Sequence, residues 1–186
     1  MAKKFDEYSD TELFYILSEN KENAESAFTE LFNRYSSRVY AYCRRFLGDR
    51  DEAQDVFQET FIKFHQSANK DREMTNVPGF LLTIARNLCM NVKRKEKPNV
   101  TLEEYMAGDD DSLVSDKDEL LELIKKALEL LPDDYREAFV LREYDGLTYE
   151  EISKLTNTSL TNVKVRIHRA KLKIKDILQS YLNELY

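Results

Sequence analysis

The sequence predicts an all-α fold of two small helical domains joined by a flexible acidic linker, the second domain ending in a helix-turn-helix. Three observations carry this. Apolar residues recur at spacings of three and four along most of the 186 residues, strand-like alternation is hard to find, and only four Gly and three Pro interrupt the pattern. Charge comes in blocks: residues 1–33 carry −5, 34–97 carry +5, 98–134 carry −9 and 135–186 carry +2, so the net −7 hides two basic regions separated by an acidic one. Residues 98–118, with Gly108-Asp109-Asp110-Asp111-Ser112 at their centre, have little apolar periodicity and read as a tether. The expected domains are therefore 1–97 and 119–186.

In chain order, Ser9-Asp10-Thr11-Glu12 is a capping box that starts a short helix through Leu13, Ile16 and Leu17. A long helix is expected from about Glu22 to Leu47, with Ala27, Phe28, Leu31, Phe32, Tyr35, Val39, Tyr42, Cys43 and Phe46 on its apolar stripe and Gly48 as its stop. Asp49 or Asp51 caps a third helix that turns Ala53, Val56, Phe57, Thr60, Phe61 and Phe64 inward; its other face carries Asp55, Gln58, Glu59 and Ile62. A polar loop from Gln66 to Asn76 ends at Val77-Pro78, and Pro in a first helical turn suits the start of a fourth helix through Phe80, Leu81, Ile84, Ala85, Leu88, Cys89 and Val92. Spacing makes most of these aromatic residues core. The fourth helix ends in Lys93-Arg94-Lys95-Glu96-Lys97, and its free face bears Arg86, Asn87 and Asn91. A cationic run also suits a helix C-terminus, whatever else it does.

Beyond the linker, helical periodicity resumes near Asp116 and runs through Leu120, Ile124, Ala127, Leu128 and Leu131 until Pro132 breaks it. Asp133 or Asp134 is the expected cap of the next helix, which contains Tyr135, Ala138, Phe139 and Leu141. Thr148 and Glu151 form a further capping box. Thr156-Asn157-Thr158 follows, where Asn tolerates the positive φ of a tight turn, and Ser159 opens the last helix. There Leu160, Val163, Ile167, Ala170, Ile174, Ile177 and Tyr181 share one face, while Thr161, Asn162, Lys164, Arg166, Arg169, Lys171 and Lys173 share the other. A helical hairpin with a solvated face is the simpler reading of such a pair. Solvated faces usually mix signs, however, and from Ser159 to Lys175 there is no Asp or Glu, which favours a helix that reads DNA.

Other chemistries find little support. Cys43 and Cys89 lie far apart on apolar faces, with no CxxC and no Cys/His grouping of metal spacing, so buried free thiols and no metal or cofactor are expected. Two His, no phosphate loop and no recurring carboxylate pair argue against an enzyme. The N-terminal MAKKFDEYSD lacks the apolar core of a signal peptide and no window approaches the length of a membrane span, so a cytoplasmic protein without membrane insertion is expected.

Three blocks carry a family resemblance. AFTELFNRYSSRVYAYCRRFLGDRDEAQDVFQETFIKF (Ala27 to Phe64), PGFLLTIARNLCMNVKRKEK (Pro78 to Lys97) and LPDDYREAFVLREYDGLTYEEIS with the helix-turn-helix resemble, in that order, the polymerase-docking segment, the −10-element helix and the −35-binding domain of bacterial RNA polymerase sigma factors of the extracytoplasmic-function (ECF) type. The resemblance implies a subunit that binds core RNA polymerase, selects promoters and helps to melt them. Asp55, Gln58, Glu59 and Ile62 would dock on polymerase. Asn69, Lys70, Arg72, Asn76, Arg86, Asn87, Lys93 and Arg94 would handle the non-template strand of the −10 element, where unstacking a base costs a few kcal/mol. Thr158, Thr161, Asn162, Lys164, Val165, Arg166, Arg169 and Lys171 would meet the −35 duplex, with Asn162 and Arg166 at base edges, Thr161 and Val165 near thymine methyls, and Lys164, Arg169, Lys171 and Lys173 on phosphates. Family members are commonly held by an anti-sigma factor, so such a partner is also implied. The acidic linker would thread polymerase channels or serve as a solvated spacer. A helix-turn-helix regulator with an N-terminal interaction domain is the competing reading. Two departures stand out: Phe80 occupies a position where the family often has Trp, and Asn162 and Val165 stand in Ser-Leu-Thr-Asn-Val-Lys-Val-Arg where the family often reads P-x-G-T-V-K-S-R.

Overall fold

The computed structural model describes residues 4–19, 22–68, 73–95 and 116–184, with 116–122 and 180–184 described as backbone alone. Every regular element among them is helical: α1 (Asp10–Glu19), α2 (Ala24–Leu47), α3 (Arg50–Ser67), α4 (Val77–Lys95), α5 (Asp116–Glu129), α6 (Asp133–Glu143), α7 (Tyr149–Thr156) and α8 (Leu160–Glu184), preceded by a 3-10 turn at Phe5–Glu7. The chain divides into two compact units between Asn91 and Val92, within the last turns of α4. The acidic stretch 98–115 lies outside the described residues.

The first unit is built on α2, which packs against α1 on one side and α3 on another. The α1 capping box forms as expected: the Ser9 N–H and hydroxyl both donate to Glu12 Oε2 at 2.7 Å, and Ser9 Oγ accepts from the Glu12 N–H at 3.3 Å. Gly48 ends α2 at φ 82°, in the left-handed region that needs no Cβ. Asp49, rather than Asp51, caps α3, accepting from the Glu52 N–H at 2.8 Å. The core gathers Leu13, Phe14, Leu31, Val39, Tyr42, Phe46, Phe64, Leu81 and Cys89, all essentially without solvent contact. Beside α1 and α2, Arg34 binds Asp10 at 2.9 Å, Glu30 at 2.8 Å and the carbonyl of Asp6 at 3.1 Å, while the Tyr35 hydroxyl donates to the other Asp10 oxygen. The aromatic residues divide more finely than their spacing suggests. Phe14, Phe46, Phe61 and Phe64 are buried, whereas Phe28, Phe32 and Phe57 are half-buried along a groove.

In the second unit α8 is the shared wall, with α5, α6 and α7 packed on it. Ala127, Leu128 and Leu131 meet Ala170 and Ile174, with Ile124, Phe139 and Ile177 around them. Val163 and Ile167 are buried nearer the start of α8, as is Ile152 on α7. The α6 cap is a correction to expectation. Neither Asp133 nor Asp134 caps it; Pro132 occupies that position without a side-chain bond, and both carboxylates fall in the first turn, where they meet the positive end of the helix. The unsatisfied end here is instead that of α5, and Arg136 fills it. Only 5% exposed, Arg136 donates to the carbonyls of Leu128 at 2.8 Å, Glu129 at 2.5 Å and Leu131 at 3.1 Å. A buried guanidinium bonded to orphan helix carbonyls ties α5 to α6.

Candidate nucleic-acid and polymerase interfaces

The helix-turn-helix is made by two local devices. Thr148 and Glu151 form the reciprocal capping box of α7: Thr148 Oγ1 accepts from the Glu151 N–H at 3.2 Å and the Thr148 N–H donates to Glu151 Oε2 at 2.7 Å. Asn157 then takes φ 50° and ψ 46°, the one non-glycine residue with positive φ among those described, and turns the chain into α8. Ser153 Oγ donates to the Thr158 carbonyl at 2.5 Å, and the Asn162 N–H donates to Ser159 Oγ at 3.2 Å, so both arms of the turn are tied.

The buried stripe Val163, Ile167, Ala170 and Ile174 fixes the rotation of α8 and leaves Thr161, Asn162, Lys164, Val165 and Arg169 in solvent. Val165 is 39% exposed, an aliphatic group presented outward on a charged surface. These residues therefore share one exposed surface, with Thr158 and Arg166 half-buried beside it. Its cations, however, are engaged with neighbouring helices. Arg166 Nη2 donates to Asp134 Oδ2 on α6 at 2.6 Å and Nη1 to Thr158 Oγ1 at 3.4 Å. Arg169 Nη1 donates to the Tyr135 hydroxyl at 3.1 Å, which holds its pKa above the ordinary arginine value. Lys173 lies over the Tyr135 ring at 5.9 Å, and Lys164 over the Tyr149 ring at 5.9 Å. Lys171 pairs with Glu143 at 2.8 Å. Asp134, Tyr135 and Glu143 thus belong to the site, and only the fold reveals them, since Asp134 lies 32 positions from Arg166.

On α4, Asn87, Asn91, Arg94 and Lys95 are exposed and recur at helical spacing, with Arg86 and Lys93 half-buried beside them. Asn76 acts as the cap of α4, its Oδ1 accepting from the Gly79 N–H at 2.9 Å. A Cβ at Gly79 would meet the Asn76 amide nitrogen at 2.6 Å, so the cap and the glycine go together. Asn69, Lys70 and Arg72 lie outside the described residues.

On α3, Asp55, Gln58, Glu59 and Ile62 form one exposed stripe, and Ile62, at 55%, is the most exposed of the described large apolar side chains. Lys63 pairs with Glu59 at 3.3 Å. Next to this stripe runs a groove of about 770 Å³ between α2 and α3, bordered by Gln58 and Ile62 and floored by Phe28, Phe32, Phe57 and Phe61. The aromatic residues lock one another, with Phe32 and Phe61 centroids 4.8 Å apart and Phe57 and Phe61 5.3 Å apart.

An acidic-apolar helix stripe, an Asn- and Arg-bearing helix and a helix-turn-helix follow one another along the chain, and two family profiles match the segments that contain them. The profile for sigma-70 region 2 matches residues 31–98, and that for sigma-70 region 4 matches residues 121–174. The RNA polymerase sigma-H factor of Pseudomonas aeruginosa is 33% identical over 172 residues, 85% of this chain and 89% of the relative. The chain belongs to the ECF sigma factors. As such it directs RNA polymerase to promoters for transcription initiation. Similar too is the ECF sigma factor SigW of Bacillus subtilis, 31% identical over 81% of this chain and 88% of the relative. The sigma factor RpoE of Bartonella quintana, solved with the anti-sigma factor NepR, shares the fold with a TM-score of 0.65 at 23% identity, covering 82% of this chain and 96% of that one. Among the described residues no helix is long and apolar enough to cross a membrane, and no group of His, Cys, Asp or Glu is arranged to hold a metal.

Proposed function

We propose that the sigma factor divides promoter work among three surfaces. The α3 stripe of Asp55, Gln58, Glu59 and Ile62 docks on core polymerase: carboxylates and an amide offer acceptors to basic partner groups, and Ile62 buries on contact. The loop and first turns around α4 trap an unpaired base of the −10 non-template strand, with Asn87 as the exposed amide that can bond a base edge and Arg86, Lys93 and Arg94 on phosphates. Asn69, Lys70, Arg72 and Asn76 are assigned to the same task of holding the −10 non-template strand. In the second unit α8 enters the major groove of the −35 element, Asn162 and Arg166 reading base edges, Thr161 and Val165 packing against thymine methyls, and Lys164, Arg169 and Lys171 on phosphates. The observation that carries this is the exposure of Asn162 and Val165 on a helix that has no Asp or Glu of its own from Ser159 to Lys175.

The domain boundaries 1–97 and 119–186, with the acidic tether between them, belong to this reading, as does a cytoplasmic location beside the polymerase. An anti-sigma partner is part of it too, supported by the NepR-bound relative of the same fold.

Transcription with purified core polymerase tests the division. Asp55→Ala/Glu59→Ala should lose co-elution with core. Asn87→Ala should keep promoter binding but lower permanganate reactivity of the opened strand. Asn162→Ala should weaken −35 recognition sequence-selectively, whereas Lys171→Ala lowers affinity for all duplexes and flattens the salt dependence by about one unit of slope. Uniform loss from every variant would refute the assignment of roles.

A further inference from the structure

Arg166 is held from two sides before any DNA arrives. Asp134, from the first turn of α6, takes one Nη2 hydrogen at 2.6 Å, and Thr158, from the turn, takes one Nη1 hydrogen at 3.4 Å. A guanidinium has five N–H donors in one plane, so three remain, including one on each Nη. That is enough for the parallel pair of bonds that guanine O6 and N7 accept. The side chain of Arg166 is 24% exposed and that of Asp134 52%, so the pair sits at the surface where DNA would lie, not in the core. A free arginine gives up about 2 kcal/mol of rotamer entropy when it is fixed, and it can swing to any phosphate in reach. A braced one has already met that cost. It also resists swinging, because an approaching phosphate must come close to the Asp134 carboxylate.

Resting on the reading of Arg166 as a base reader, we propose that Asp134 is a specificity-determining positioning residue: it aims the Arg166 guanidinium at one base pair of the upstream element and bars it from the phosphate backbone. Thr158 completes the brace. Its hydroxyl accepts from Arg166 and donates to the Thr156 carbonyl at 3.3 Å, which gives it an orienting role inside the protein. Arg169 and Lys171 differ in kind. The phenol of Tyr135 holds Arg169 without a competing charge. The Lys171–Glu143 pair is more exposed, with side chains 53% and 36% accessible, and yields easily to a phosphate.

The test uses the full chain assembled with core polymerase and a pool of random-sequence duplexes, with bound sequences read out position by position. Wild type should show one upstream base pair whose preference Arg166→Ala erases. Asp134→Asn should reduce the preference at that same position by about tenfold, near the worth of one oriented bidentate contact. It should also raise affinity for poly(dI-dC), because a negative charge facing the backbone is gone. Asp134→Glu, which keeps the carboxylate, should retain more of the preference than Asp134→Asn. In an Arg166→Ala background Asp134→Asn should change no position further. If Arg166→Ala erases a position and Asp134→Asn leaves it intact while tightening all sequences alike, Asp134 is a countercharge only and the proposal is overturned. If Arg166→Ala itself alters no position, the base-reader assignment of Arg166 fails instead.

Discussion

Tyr35 and Arg34 show how single side chains pin the start of the chain to α2. Burial alone would lower the Arg34 pKa, yet hydrogen bonds and charge from Glu30 and Asp10 outweigh it and hold the guanidinium above its ordinary value. Tyr35 goes the other way in charge: burial, then its hydrogen bond to Asp10 and the Asp10 charge, push the phenol from 10.0 to about 12. The unfolded chain therefore releases this proton near pH 10 while the folded chain keeps it. Between those values the folded state binds more protons, so rising pH draws the equilibrium toward unfolding. The contribution of Tyr35 is fully present below about pH 10 and is lost as pH rises through about 12. Tyr35→Phe should cost about 1 kcal/mol at neutral pH, the worth of one intramolecular hydrogen bond, and should flatten the decline above pH 10 relative to wild type. Urea midpoints measured across that range for both proteins check it, and parallel declines would dismiss the Asp10–Tyr35 bond as the cause. None of this was legible in the sequence, where Tyr35 registers only as one more residue on an apolar stripe and Asp10 as part of a capping segment.

Helices and their ends were read best, because caps and breakers act over three or four residues and need no tertiary information. Ser9 with Glu12, Gly48, Asp49, Thr148 with Glu151, and Asn157 all do in the structure what their residue types require. The α6 cap was misread because an Asp after Pro satisfies the same local rule as a first-turn Asp; in the structure Asp133 faces Arg136 one turn further along α6, and Asp134 faces Arg166 on α8. Arg136 itself was invisible: an arginine on a polar-looking helix declares no burial until the carbonyls of α5 are placed beside it. The candidate interfaces follow the same division. Which residues of α3, α4 and α8 face outward was predictable from the apolar stripe behind them, whereas Asp134, Tyr135 and Glu143 enter the α8 site only through the packing of α6. Asn157 offers the sharpest test at this scale. With φ at 50°, Asn157→Val should destabilise the second unit by roughly 1–2 kcal/mol, while Asn157→Gly should be close to neutral. Thermal denaturation together with duplex binding would register the first as a loss in both. A valine variant as stable as wild type would show that the turn does not depend on this conformation.

At the scale of the whole chain, a protein of net charge −7 must place two basic surfaces on a polyanion. The blocks resolve the conflict. Residues 34–97 and 135–186 are positive, and of the −9 between them −6 falls in residues 98–118, whose sequence has no periodic apolar face to bury. Charge this dense on the same molecule lowers the local potential seen by DNA and should discourage indiscriminate binding by the free subunit. The effect is one of field rather than contact, so it has a salt signature. The Debye length is about 10 Å at 0.1 M salt and about 3 Å at 1 M, and influence beyond that distance is screened. Replacing Asp109, Asp110 and Asp111 together by Asn should therefore tighten binding of the free chain to random-sequence duplex severalfold at low salt. The gain should fade as salt is raised, with the α8 preference unchanged. Fluorescence anisotropy across a salt series, using the same duplex for both proteins, reads this directly. Equal affinities at low salt would mean that the tract exerts no field on the DNA-facing surfaces. A gain that persists at high salt would point to a specific contact made by these carboxylates.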